Sequence, residues 1–276
     1  MTKIFVVCLC IFTLTKGLGR VAQHLDTDFA RIVLTPTFVD KTPMLKKLPQ
    51  QGIIAISAPR LFGKTTNMDM MRRFFSITVN KDGDIIDNVK RDFAGKRVEK
   101  SENSLTDNFK LFKDHKLAVY SDNEFFYDNC GQYPVIHVSF KKVDASSIQN
   151  CIESFKVVVH EVFKEHFYLL NAKDLWSDDG GNYDRNEFNK YLDENKYNTL
   201  SESEVINGLK YLSLLLHKHF KRLVFLLIDD LDAPVLKIIL NRNATITDKF
   251  DFLTEAVTET VGNGHVGMGV VQSTSQ

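Results

Sequence analysis

Residues 223–228 (LVFLLI) are six apolar residues in a row, and they run directly into Asp229-Asp230-Leu231-Asp232. A strand with one wet face alternates polar and apolar residues, so an unbroken run reads as a strand covered on both faces, as in a parallel sheet between helical layers. Residues 53–56, 133–140 and 266–273 read as further strands, β-rich and bounded by turn residues. Between them, apolar residues recur at helical spacing. Met68, Met71 and Phe75 form one such face; Ile148, Ile152, Phe155, Val159, Val162, Phe163 and Phe167 form a second. Val205, Leu209, Leu212, Leu216 and Phe220 form a third, headed by a capping-box pattern from Ser201 to Glu204. Residues 249–261 are a fourth helical segment. Alternating strands and helices with long crossovers specify an α/β domain, with a mostly parallel central sheet and helices on both faces. Residues 80–130 are mixed and charge-rich, and read as a peripheral helical insertion or a lid with a turn at Asp82-Gly83.

The strand at 53–56 feeds a tight loop ending in Gly63-Lys64-Thr65, followed by a helix expected to start at Thr65. This is the layout of a phosphate-binding loop: backbone N–H groups wrap an anion at a helix N-terminus, whose partial positive charge lies beneath it. The contacts expected for ATP are Ala58, Pro59, Arg60, Leu61, Phe62, Gly63, Lys64, Thr65 and Thr66, with Lys64 on the β/γ oxygens and Thr65 on Mg²⁺. Ala58 stands where the pattern has its first glycine, and fits only if its φ stays negative. Arg60 reads equally well as a phosphate contact or as an ion pair at the loop rim.

The acidic cluster supplies the other half. A carboxylate at the end of a buried strand can hold Mg²⁺, and a second can orient an attacking water. Asp229 is the metal ligand in this reading, and Asp230 and Lys64 are the catalytic residues. Ligands bind outside the carboxyl ends of such strands, so both motifs should emerge on one edge of the sheet. Three carboxylates so close would repel one another, which a divalent cation relieves.

Lys+Arg and Asp+Glu each number 35, so no global basic field points to nucleic acid. The N-terminus is different in kind. Lys3 precedes eleven residues, 4–14, that are apolar apart from Thr13, and small residues follow at Gly17 and Gly19. Residues 1–19 therefore read as a secretory signal peptide rather than a buried first strand, with cleavage after Gly17 or Gly19. The apolar core is too short to span a bilayer, so no membrane span is expected once it is removed. Residues 20–276 would then form one domain in the secretory pathway or outside the cell. Cys130 and Cys151 remain, enough for one disulfide in an oxidising compartment. Asn243-Ala244-Thr245 would be a glycosylation acceptor there.

Other constellations carry no chemistry. His160-Glu161 begins a zinc-protease pattern that ends in Lys164, and the histidines read as structural or surface groups. The Asp/Asn-rich loop at 171–186 lacks a calcium-loop register and reads as a solvated turn.

Taken in order, Phe38-Val39-Asp40-Lys41-Thr42, the 58–65 loop with Asn67 and Met71, Tyr133-Pro134-Val135-Ile136, Ser139-Phe140, and Leu227-Ile228-Asp229-Asp230-Leu231-Asp232-Ala233-Pro234 resemble the AAA-ATPase-like family over about residues 35–273. The resemblance implies a P-loop NTPase three-layer sandwich that binds ATP and Mg²⁺, with Asp229 as the Walker B carboxylate. A polar sensor, Gln272 or Ser273, would lie on the last strand. Insect members of the family look like expanded sets of secreted proteins. Asp230 stands where the family commonly has Glu, which puts hydrolysis in doubt. The chain stops before a lid domain or arginine finger and shows no nuclease domain, so a C-terminal truncation is one expectation. Two functions follow: a weak Mg²⁺-dependent ATPase, or a retired NTPase scaffold that acts through an unknown protein partner.

Overall fold

The computed structural model describes residues 5–6, 27–50, 52–59, 62–91, 96–176, 184–234 and 247–274. In chain order the strands are β1 (Phe5–Val6), β2 (Ile53–Ala58), β3 (Val89–Arg91), β4 (Arg97–Glu99), β5 (Val135–Ser139), β6 (Val224–Asp229) and β7 (Val266–Thr274). The helices are α1 (Phe29–Ile32), α2 (Lys64–Phe75), α3 (Asp107–Asp114), α4 (Asn123–Asn129), α5 (Ile148–Glu165), α6 (Lys173–Trp176), α7 (Arg185–Leu192), α8 (Glu202–Phe220) and α9 (Thr247–Gly262). Four strands, in the order β2-β7-β6-β5, make a wholly parallel sheet. β1 adds two residues beside Ile54 and Ala55, and the rest of the expected leader lies outside the described residues. β3 and β4 form a separate antiparallel pair.

The central strand shows why its sequence is apolar throughout. Val224, Leu226 and Ile228 enter one core, with residues of α5, α8 and α9, whereas Phe225 and Leu227 enter a second, with residues of α2, α3 and α4. All six residues of β6 are buried, because successive side chains point to opposite faces and both faces are covered by helices. The chain is thus an α/β protein with a parallel sheet and helices around it.

Most expected elements stand within one or two residues of their sequence bounds. The capping box forms as read: Glu204 N–H donates to the Ser201 hydroxyl, and Ser201 N–H donates to the Glu204 carboxylate at 2.8 Å. Met68, Met71 and Phe75 are all fully buried on α2. Gly208 lets α8 approach α5 closely, since a Cβ there would lie 3.0 Å from Val159 Cγ1 and 3.1 Å from Tyr191 Cε1.

Residues 80–130 correct the sequence reading. From Leu105 onward they are helical but not peripheral, for Phe109, Phe112 and Phe126 are fully buried in the core with α2. The charges of this region lie on the outside of short helices whose few aromatics supply the packing. Cys130 and Cys151 are buried in the two different cores rather than joined to each other, and burial pushes the Cys130 thiol well above its usual range. The Asn243 acceptor and residues 177–183 of the polar loop lie outside the described residues.

Candidate functional site

Parallel strands place all their carboxyl ends on one edge, so the loop after β2 and the acidic turn after β6 open to the same side. Only β7 lies between them, which separates the two by two strand spacings, about 10 Å. Both therefore flank the carboxyl end of β7.

Ala58 is the last residue of β2 and has no positive φ, so the missing glycine causes no strain there. The left-handed turn falls at Gly63 instead, with φ 74° and ψ 26°, immediately before α2. Conformation rather than space calls for glycine: a Cβ would meet only Lys41 Nζ, at 3.7 Å. The helix begins at Lys64, one residue earlier than expected, and Gly63 brings no side chain to cap its first amides. Those amides are available to an anion.

Two lysines converge on the loop. Lys64 Nζ donates to Ala58 O at 3.0 Å and Pro59 O at 3.1 Å, while Lys41 Nζ donates to Phe62 O at 3.2 Å. Among the described residues neither lysine has a carboxylate partner within ion-pair distance. Pro59 is exposed, Phe62 is 56% exposed, and Thr65 and Thr66 are half-buried in the first turn of α2. Arg60 and Leu61 lie outside the described residues.

On the far side of β7, Asp229 is only 1% exposed. Its Oδ1 accepts the Asp230 N–H at 2.9 Å, but its Oδ2 is buried with no hydrogen-bond partner among the described residues. Burial raises its pKa, against the opposing influence of the Thr65 hydroxyl, the Asp230 N–H, the Gln272 amide and the Lys64 charge. Thr65 and Gln272 therefore lie close enough to favour the carboxylate, yet neither is aligned to satisfy Oδ2. Gln272 is itself 1% exposed, and both its amide atoms are unpaired. Of the two expected sensors it is Gln272, paired in register with Ile56 of β2, that stands beside Asp229.

Asp230 has a φ of 54°, in the left-handed region, and is half-buried. Burial and then the neighbouring Asp229 charge raise its pKa, while Lys141 and Lys64 lower it. Asp232 Oδ2 is also buried without a partner. Among the described residues no group of three acids, histidines or cysteines is arranged to hold a metal by itself. A metal here would draw on Asp229 and Thr65 together with phosphate oxygens, the usual Mg²⁺ arrangement.

Buried His160 is held by its neighbours. His160 Nδ1 lies 2.6 Å from Tyr191 O, and its ring stacks on Tyr197. Lys41 is the site residue that sequence reasoning passed over. Its signal was its place between Asp40 and Thr42, two short polar side chains suited to binding backbone.

A family model described as predicted AAA-ATPase matches residues 27–260, a span that includes both the loop after β2 and the acidic turn after β6. No curated protein and no solved structure matches the chain.

Proposed function

The chain belongs to the AAA-ATPase-like family, and on that premise we propose that it binds ATP with Mg²⁺ at the carboxyl ends of β2 and β6, as a P-loop NTPase three-layer sandwich. The observation that carries this reading is Asp229 Oδ2, buried and unpaired beside the Thr65 side chain. An unsatisfied buried carboxylate oxygen costs about 1–3 kcal/mol or more, a cost that a bound cation would relieve.

The residues present fit the ligand. Thr65 and Asp229 would hold Mg²⁺, which when bound would neutralise charge on the phosphate oxygens. Lys64 would leave two neutral carbonyls for a phosphate oxygen, a stronger, charge-assisted partner. The amides at the start of α2 would donate to the phosphates. Asp230, made more basic by burial and by Asp229, would take up a proton from a water in weak hydrolysis.

Asp230 also favours a second reading. Its carboxylate is one methylene shorter than that of Glu and rides on a left-handed residue. Misplacement by about 1 Å costs on the order of a hundredfold in rate. Such a scaffold would bind nucleotide without turning it over, and act through a protein partner. Residues 1–19, in this proposal, direct the chain into the secretory pathway. Among the described residues no helix is long and apolar enough to cross a membrane.

Titration of the full chain with ATP, with and without Mg²⁺, tests the first claim. Mg²⁺-dependent micromolar binding that Lys64→Ala abolishes is the expected result, and no binding by the folded protein would refute it. Asp229→Asn should remove the Mg²⁺ dependence yet raise the melting temperature of the ligand-free protein, because a raised carboxylate pKa means that its charge destabilises the fold at neutral pH. A lowered melting temperature would make Asp229 a structural residue. Faster turnover in Asp230→Glu would favour the second reading. Sequencing the N-terminus of the exported chain would locate the leader.

A further inference from the structure

Lys41 has a geometry that phosphate binding by Lys64 does not account for. Its Nζ lies 3.2 Å from Phe62 O and 3.7 Å from the place of a Gly63 Cβ, so it sits against a single peptide unit, Phe62–Gly63. That unit leads into the left-handed turn before α2. In a planar trans peptide the C=O and N–H point in opposite directions. The Gly63 N–H therefore points away from the lysine.

A long exposed side chain does not hold such a contact cheaply, since ordering it costs rotamer entropy. The backbone beneath Lys41, however, is pinned on both sides. Asp40 accepts the Thr42 N–H at 2.8 Å with one oxygen and the Ala118 N–H at 2.6 Å with the other. Thr42, fully buried, accepts the Val119 N–H at 3.1 Å. These bonds satisfy the first amides of the 3-10 helix Ala118–Ser121, whose own N-cap residue, Leu117, supplies no side-chain acceptor. Leu45 and Leu48 then anchor the following turns in the core. Lys41 thus stands on a fixed mount, and its charge rests on a neutral carbonyl of the loop.

We propose that Lys41 is a positioning residue that braces the phosphate loop from behind, holding the Phe62–Gly63 peptide in its turn and polarising it so that the Gly63 N–H donates more strongly to a phosphate oxygen. A hydrogen bond to a peptide carbonyl strengthens the N–H of the same unit. The benefit to phosphate rests on the nucleotide-binding reading; the ordering of the loop does not.

The test compares the full chain with Lys41→Met and Lys41→Arg in two measurements. Without nucleotide, amide hydrogen exchange over residues 62–66 should quicken about tenfold in the methionine variant and stay near the parent's rate in the arginine variant, with the melting temperature unchanged. Unchanged exchange, or a general loss of melting temperature, would overturn the brace whether or not nucleotide binds. In the second measurement, ADP and ATP affinities should fall together by about tenfold in Lys41→Met and recover in Lys41→Arg. A loss confined to ATP would overturn it too, since Lys41 would then be touching the terminal phosphate. A parent chain that binds neither nucleotide would refute the proposed function alone, and the exchange measurement would still decide the brace.

Discussion

On one face of the sheet, α5 and α8 run for 18 and 19 residues, and each is capped by its own preceding serine, Ser147 and Ser201. On the other face α2, α3 and α4 have 12, 8 and 7 residues, and side chains from distant parts of the chain tie them together. Asp69 of α2 accepts the Phe29 N–H at 2.9 Å and binds Arg72 and Arg73, and Arg73 reaches Asp28. Asn88 accepts the Thr106 N–H at 2.7 Å, just before α3, while Asp40 and Thr42 hold residues 118 and 119. Local caps exist on this face as well, at Thr106 and Asp122. Long-range side-chain bonds tie the first layer as well, Lys156 to Asn198 O and Lys210 to Glu259; the difference is that they join long, locally capped helices there and short ones here. The phosphate loop opens into α2, so its geometry depends on the layer of short helices.

Phe74 offers the hardest way to break this comparison. Its ring is fully buried and meets those of Phe75, Phe112, Phe125 and Phe126 at centroid distances of 4.9, 5.2, 6.0 and 5.8 Å. Phe74→Ala should cost about 4 kcal/mol in urea unfolding. In hydrogen exchange it should loosen α2, α3 and α4 together and leave α8 protected. Equal loosening of α8 would show that the two layers are one cooperative unit.

Acid sharpens the comparison with a smaller effect, because each layer has a strongly shifted histidine. His137 is lowered to about 4 by burial and the Arg72 charge, with Asp69 opposing, and His166 is lowered to about 4 by burial, opposed by a backbone contact with Val135. A folded pKa below the unfolded value near 6.5 means that the unfolded chain takes up protons first. Stability is complete above pH 6.5 and falls as pH drops toward 4, by about 2 kcal/mol for each histidine at pH 5. His137→Gln and His166→Gln should each remove about half of that pH dependence. A dependence that survives both would assign it to the carboxylates.

Ser201→Ala is the mildest perturbation. It removes one N-cap and should cost about 1 kcal/mol, with faster exchange confined to the first turn of α8. Spread to α2 would contradict the separation of the layers.

The legible parts of the molecule share a physical cause. β6 could be read because burial on both faces leaves no polar position in it, and α8 because its cap and its apolar spacing are neighbours in sequence. Gly63, Lys64, Thr65 and Asp229 could be read because phosphate chemistry demands fixed residue types at a loop and a strand end. Residues 80–130 could not, because their aromatics gain meaning only against α2, and their charges give no period.

By itself the sequence determined an α/β chain with a buried parallel strand, a glycine-lysine-threonine turn into a helix, and an acidic end to the central strand. These are local patterns, and local backbone and burial physics suffices to produce them. Tertiary structure alone decided that Gln272 is the amide beside Asp229, that Cys130 and Cys151 lie in separate cores, and that Lys41 reaches the loop. Each relates residues apart in the chain, and strand order together with long-range side-chain bonds such as those of Asp40 and Thr42 sets those distances.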